Sequence, residues 1–265
     1  MTKRTPFIVA NWKTNKKTQD VYEFLDAIRD HLPASDVVET GIAAQDIFLH
    51  EMVNYAGGLS ESVKIVAENV HWADEGSYTG ETSPAALADI GVNYAIVGHY
   101  ERRKMFKETN GTIGLKVAAA LRNGISPIVA IAEDTTRYNP EDVEMAPLTE
   151  IAIALAGISK EDAHRIVIAY EPAWAIGAAT APSNEIVQHA AKVIRASLAR
   201  LFTQEVADKI RIQYGGAVTP DNAAEILAQP DIDGLLIGRA ALDADKFLNM
   251  VQAAVNQTKI TAQEG

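Results

Sequence analysis

Phe7-Ile8-Val9-Ala10, running directly into Asn11-Trp12-Lys13, is the stretch on which the fold turns. A short, continuously apolar run reads as a strand covered on both faces, the pattern of a parallel sheet. A doubly wound open sheet carries a glycine-rich dinucleotide turn after its first strand. Here asparagine, tryptophan and lysine follow instead. Comparable β-rich runs recur at Gly41–Ala44, Val63–Ala67, Tyr94–Val97, Ser126–Ile131, Arg165–Ala169, Arg211–Tyr214 and Gly234–Ile237, eight in all. The gaps between them are long enough for a crossover helix. This alternation predicts an α/β protein, a single-domain (β/α)8 barrel over residues 1–265, with its site at the C-terminal ends of the strands.

Helical patterns fill the gaps. Thr18 to His31 carries Val21, Phe24, Leu25 and Ile28 on one face, the spacing of an amphipathic helix. Ser83-Pro84 reads as an N-cap and a first-turn proline opening Ala85 to Ile90, with Gly91 beyond the end. Asn184 to Leu201 and Ala244 to Val255 are longer helical stretches. No linker, low-complexity segment or sequence repeat interrupts the series.

The chain of 265 residues is 48% hydrophobic and 22% charged, which places it among folded globular proteins rather than disordered or collagen-like ones. It has no cysteine, which excludes disulfides, thiolate metal sites and a cysteine nucleophile. Acidic side chains outnumber basic ones by 35 to 24, a formal charge of −11. Such a field repels nucleic acid and anionic membranes, so neither is expected as a partner. An anionic substrate would need a local pocket of positive charge or backbone N–H groups. The N-terminus runs into a strand rather than a long apolar signal core, and no run approaches the ~20 apolar residues of a membrane span. A cytoplasmic location is the default expectation.

The residues just beyond each run are the candidates for chemistry. Strand one ends at Asn11 and Lys13, strand three leads to Glu68-Asn69, and strand four to Gly98-His99. Strand five leads to Glu133-Asp134, strand six to Glu171-Pro172, strand seven to Gly215-Gly216, and strand eight to Gly238-Arg239. One lysine, one histidine, one exposed carboxylate and two glycine turns are expected at a common mouth. The other histidines (31, 50, 71, 164 and 189) show no metal-ligand spacing and are read as structural or solvated. Glu133-Asp134 is left open between a structural and a site role, with the structural one favoured.

Several segments, in order along nearly the whole chain, resemble the triosephosphate isomerase family. They are Asn11-Trp12-Lys13, Gly76-Ser77-Tyr78-Thr79-Gly80-Glu81, Val97-Gly98-His99-Tyr100-Glu101-Arg102-Arg103, Tyr170-Glu171-Pro172-Ala173-Trp174-Ala175-Ile176-Gly177, Tyr214-Gly215-Gly216 and Asp233-Gly234-Leu235-Leu236-Ile237-Gly238. The resemblance implies a TIM barrel and an aldose–ketose isomerase of glycolysis and gluconeogenesis acting on a small sugar phosphate. That reaction moves a proton between neighbouring carbons and needs a carboxylate base, an electrophile and a cation for the enediolate charge. By resemblance Glu171 is the base, His99 the electrophile and Lys13 the cation. Asn11, Gly177, Ala217, Gly238 and Arg239 join Lys13 in holding substrate. Glu101 is read as orienting Lys13, with Arg102 and Arg103 in structural ion pairs. Pro172 to Thr180 resembles the family's lid. Thr79 matches the residue by which one subunit completes its neighbour's site, so a homodimer is implied. No metal and no cofactor is expected, because the reaction is redox-neutral.

Departures from the family pattern lie at the site itself. Tyr100 stands where the family has a serine whose hydroxyl holds the resting base. Gly215-Gly216-Ala217 lacks the serine hydroxyl of the family's turn. Ala178-Ala179-Thr180-Ala181-Pro182 replaces the second half of the lid, and Gly238-Arg239 replaces a glycine pair that lets backbone N–H groups approach phosphate. The first reading is interconversion of D-glyceraldehyde 3-phosphate and dihydroxyacetone phosphate. The alternatives are the same chemistry on a four-carbon sugar phosphate of the erythrulose phosphate type, and a non-catalytic barrel with a binding role.

Overall fold

The computed structural model describes residues 4–56, 63–133, 140–175 and 181–264. Its strands are β1 (Phe7–Asn11), β2 (Glu39–Ala44), β3 (Val63–Ala67), β4 (Tyr94–Val97), β5 (Ser126–Glu133), β6 (Val167–Pro172), β7 (Arg211–Tyr214) and β8 (Gly234–Ile237). All pair in parallel, each with the next, and β8 returns to β1, closing the barrel. The helices are α1 (Thr18–Ile28), α2 (Asp46–Ala56), α3 (Pro84–Asp89), α4 (Tyr100–Phe106), α5 (Asn110–Arg122), α6 (Pro140–Ala154), α7 (Lys160–Ala163), α8 (Asn184–Leu201), α9 (Gln204–Ala207), α10 (Ala223–Leu227) and α11 (Ala244–Glu264).

The continuous apolarity of the strands has the cause the sequence suggests. Alternate side chains point to opposite faces of a strand. Phe7, Val9, Val66, Ile96, Ile128 and Val167 fill the barrel interior, while Ile8, Ile42, Ile65, Val97 and Ile168 pack outward beneath the helices. Neither face meets water, so neither needs polar residues. At the N-terminal end the interior becomes polar and is sealed by its own charges. The Tyr94 hydroxyl donates to Glu39 at 3.0 Å and accepts from Arg211 at 2.9 Å, over the Phe7 ring. Burial, the largest influence there, pushes the Tyr94 phenol up to about 12.

The seam between β7, β8 and β1 is held by Asp233. Its carboxylate accepts from Arg195 at 2.7 Å, from Arg4 at 2.6 Å and from the Ile212 N–H at 2.9 Å. Its backbone accepts from Phe7 N–H and donates to Ile212, bridging the two neighbouring strands. The next residue must be glycine: a Cβ at Gly234 would lie 2.0 Å from the Phe7 carbonyl oxygen.

Several elements differ from their predicted bounds. Strand β6 starts at Val167, not Arg165, and runs on to Pro172 because β5 continues as its partner through the pairs Ala132↔Glu171 and Glu133↔Pro172. Arg165 belongs to the preceding turn, where its N–H bonds Asp162 O. Helix α1 stops at Ile28 and α11 extends to Glu264, well past Val255. Helix α3 forms as its cap and proline predict: Ser83 Oγ accepts from the Ala85 and Ala86 N–H groups, and Gly91 takes a positive φ of 88°.

Removing one partner of a buried ion pair leaves the other charge uncompensated. Asp233→Ala is therefore expected to cost about 3–5 kcal/mol in equilibrium urea unfolding; a loss below about 1 kcal/mol would show that the seam does not depend on it.

Candidate active site

The C-terminal ends of the strands open into a cleft of about 580 Å3 lined by Asn11, Lys13, His99, Glu171, Gly215, Gly216, Ala217, Gly238 and Arg239 among others. They arrive from the ends of five strands, β1, β4, β6, β7 and β8, so closure of the barrel brings them together.

Glu171 is the clearest departure from expectation. It is not an exposed residue beyond its strand but lies within β6, only 2% exposed. The longer β5–β6 pairing draws it inward, and Gly215 has its Cβ position only 3.0 Å from Glu171 Cγ. A buried carboxylate needs hydrogen bonds. Oε2 accepts the Tyr100 N–H at 3.0 Å and Oε1 lies 3.0 Å from His99 Nε2. Burial works to raise the Glu171 pKa, but His99, the Tyr100 N–H and Lys13 outweigh it and hold the carboxyl below its ordinary range. It is an ionised acceptor. Tyr100 supplies its main chain for this, so the Glu171 carboxylate is held without a side-chain hydroxyl, and the Tyr100 ring lies against Lys104 instead.

His99 ends the β4 turn and caps α4, its Nδ1 accepting the Glu101 N–H at 3.2 Å. Only an unprotonated Nδ1 can accept, so the ring's proton sits on Nε2, facing Glu171. Burial favours the neutral ring, while the Glu171 carboxylate favours the imidazolium and prevails, raising the pKa.

Lys13 takes a left-handed backbone, φ 53°, rare for a residue with a side chain. Its N–H approaches Asn11 Oδ1 at 3.3 Å and its ammonium pairs with Glu101 Oε1 at 2.7 Å. Asn11 is buried at the end of β1. Arg103 buttresses the floor, donating to Gly98 O at 2.7 Å and Ala130 O at 3.0 Å. Arg102 pairs with Glu108, which the buried Lys116 also contacts. Gly216 is forced by packing, since its Cβ would sit 2.1 Å from the Tyr214 hydroxyl.

Gly238 precedes a short 3-10 turn, Arg239–Leu242. Arg239 is exposed at the cleft and makes no hydrogen bond or ion pair among the described residues. Thr79 is exposed on the loop after β3. Gly177, the segment 176–180 of the expected lid, and Asp134 lie outside the described residues. Asn15, Thr219 and Leu242 also line the cleft. Sequence reading missed them, because loops and the 3-10 turn deliver them and no spacing marks them.

The family model for triosephosphate isomerase matches residues 6–254 of this chain. Among curated relatives, the triosephosphate isomerase of Lactiplantibacillus plantarum is 44% identical over 248 residues, 94% of this chain and 98% of its own. That of Pediococcus pentosaceus is 45% identical, and that of Streptococcus agalactiae 41%, over the same shares.

The Lys13–Glu101 pair is about one third exposed on each side (31% and 39%), where ion pairs contribute little. Lys13→Met is expected to unfold cooperatively within about 1 kcal/mol of the parent. Loss of a cooperative transition would make Lys13 a structural residue.

Proposed function

The chain belongs to the triosephosphate isomerase family, and from that premise we propose that Glu171, His99 and Lys13 carry the interconversion of D-glyceraldehyde 3-phosphate and dihydroxyacetone phosphate. The observation that bears most weight is a buried, ionised Glu171 at 3.0 Å from the Nε2 of a histidine whose other nitrogen is occupied by a backbone N–H. Glu171 removes a proton from the carbon beside the carbonyl, and the electron pair moves onto the oxygen to form an enediolate. His99 Nε2–H and the Lys13 ammonium meet that developing charge, which fixed donors stabilise best in a cleft that excludes water. Glu171 then returns the proton to the neighbouring carbon. As Glu171 turns from His99 toward the substrate carbon, the influence that favours imidazolium withdraws and the ring acts as a neutral acid.

Asn11 positions the reacting oxygens. Gly177, Ala217, Gly238 and Arg239 hold the phosphate, the glycines through backbone N–H groups and Arg239 through its guanidinium. The triose substrate is favoured over a four-carbon one by the names of the relatives. Intact acid–base groups argue against a binding-only barrel. We take residues 1–265 as one domain acting in the cytoplasm; among the described residues no helix is long and apolar enough to cross a membrane.

The working form is a homodimer with Thr79 at the interface. In support, Ile47 (78% exposed), Tyr78, Met105 (67%) and Phe106 (65%) follow β2, β3 and β4. These strands are neighbours, so the apolar groups share one side of the barrel, where a second copy would cover them.

Turnover of triose phosphate by the purified protein tests the reading directly. Glu171→Gln is expected to lose about 10²–10⁴ in kcat with a much smaller change in KM; near-normal kcat would remove Glu171 from the role of base. Arg239→Gly is expected to raise KM about tenfold or more for phosphorylated substrates, the loss of a charge-assisted hydrogen bond. An unchanged KM, with an unchanged four-carbon to three-carbon ratio of kcat/KM, would show that Arg239 takes no part in binding.

A further inference from the structure

Glu68 directly follows β3 and has no part in the steps above. Its Oε1 is fully buried and has no hydrogen-bond partner among the described residues. Charged and titratable groups face it from each neighbouring element: the Lys13 loop after β1, Asp46 at the start of α2, and His99 and Glu101 at the β4–α4 turn. Asp46 is itself faced by Thr82, Arg102 and Glu81, and the adjacent Asn69 is taken up by Lys116 at 2.7 Å. The Lys13 ammonium pairs with Glu101 and only the Lys13 N–H is turned to Glu68, so among the described residues an ionised Glu68 has no ion pair of its own. Such a group keeps its proton instead.

We propose that Glu68 is a positioning residue that serves the site in its protonated form, so that its ionisation weakens binding of the anionic substrate. Neutral, it adds nothing to the Glu101 and Glu171 carboxylates that already act on Lys13, and leaves the ammonium able to turn toward an incoming anion. Ionised, it adds a further negative charge beside the Lys13 backbone and weakens the local positive field on which an acidic protein depends to bind a phosphate. Burial is the largest influence on the carboxyl; with Asp46 and Glu101 it overcomes the Lys13 N–H and His99 and pushes the pKa up to about 7. The change therefore falls in the neutral range. The inference rests on reading the cleft as a site for an anionic sugar phosphate.

Sulfate is a suitable probe because its charge stays constant while the protein titrates. Its Kd is measured by calorimetry at about pH 6 and about pH 8.5, on either side of the Glu68 transition, in the parent and in Glu68→Gln. The parent is expected to lose roughly fivefold more affinity across that range than the variant, the size of one added charge at intermediate distance. His99 is present in both proteins and acts on Glu68, so its ring signals are followed by NMR over the same range to separate its contribution from that of Glu68. KM for triose phosphate should follow the same difference, with kcat altered far less. Equal pH dependence in the two proteins, or a difference confined to kcat, would overturn the proposal. If the variant does not fold, carboxyl-labelled glutamate in the parent gives the answer by NMR: a carboxyl titrating near 7 in step with sulfate affinity supports it. The absence of any glutamate titrating above about 5.5 refutes it. Absence of turnover in the parent would instead overturn the isomerase reading, which sulfate binding does not measure.

Discussion

The structure depends on the closure of β8 onto β1. A parallel sheet of eight strands has two edges unless the last strand meets the first, and unpaired edges expose backbone groups. Asp233 is where that meeting is secured, drawing Arg4, Arg195 and the Ile212 N–H onto one carboxylate. Gly234 beside it lets β8 approach the Phe7 carbonyl at a distance no side chain would allow. Closure then does more than satisfy hydrogen bonds. It places the ends of β1, β4, β6, β7 and β8 on one rim, so that Lys13, His99, Glu171 and the glycine turns line a single cleft.

Two kinds of ion pair divide the work on that frame. Arg195–Asp233 is buried on both sides and Lys116–Glu108 nearly so. Such pairs repay their desolvation only in one geometry, so they hold elements in register. Lys13–Glu101 sits partly in solvent, and its small net energy leaves the ammonium available to a substrate. The rim itself is set by the backbone as much as by side chains. Helix α4 begins at His99, and its first N–H groups go to the His99 ring and the Glu171 carboxylate. These are the donors every helix leaves unpaired at its start. They fix the tautomer of His99 and, together with His99, favour the ionised form of Glu171, and they remain when the residue after His99 is tyrosine. The substitution that looks most disruptive in the sequence is therefore absorbed by the main chain.

The sequence by itself determined the strand order, the barrel class and the identity of the chemical groups. Apolar runs such as Val63–Ala67 and Tyr94–Val97 fall where the strands are, because burial on both faces leaves no choice of residue type. Ser83, Pro84 and Gly91 mark a helix whose caps they form, because those signals act over a few neighbouring residues. Lys13, His99 and Glu171 were legible as candidates from their places beyond the predicted runs and from the family resemblance, although β6 itself takes in Glu171. Tertiary structure alone decided what those groups experience. Glu171 is buried because β5 runs far enough to pair with it, and β5 is distant in sequence. Glu68 has its pKa raised because burial and the Asp46 and Glu101 carboxylates, which reach it from other segments, outweigh the Lys13 N–H and His99. Asn15 and Thr219 enter the cleft from loops, and Leu242 from the end of the 3-10 turn after β8, at positions fixed only by the elements around them. Residue type and local spacing are properties of adjacent positions. Burial, ionisation and pocket shape are set by long-range contacts, which exist only once the barrel has closed.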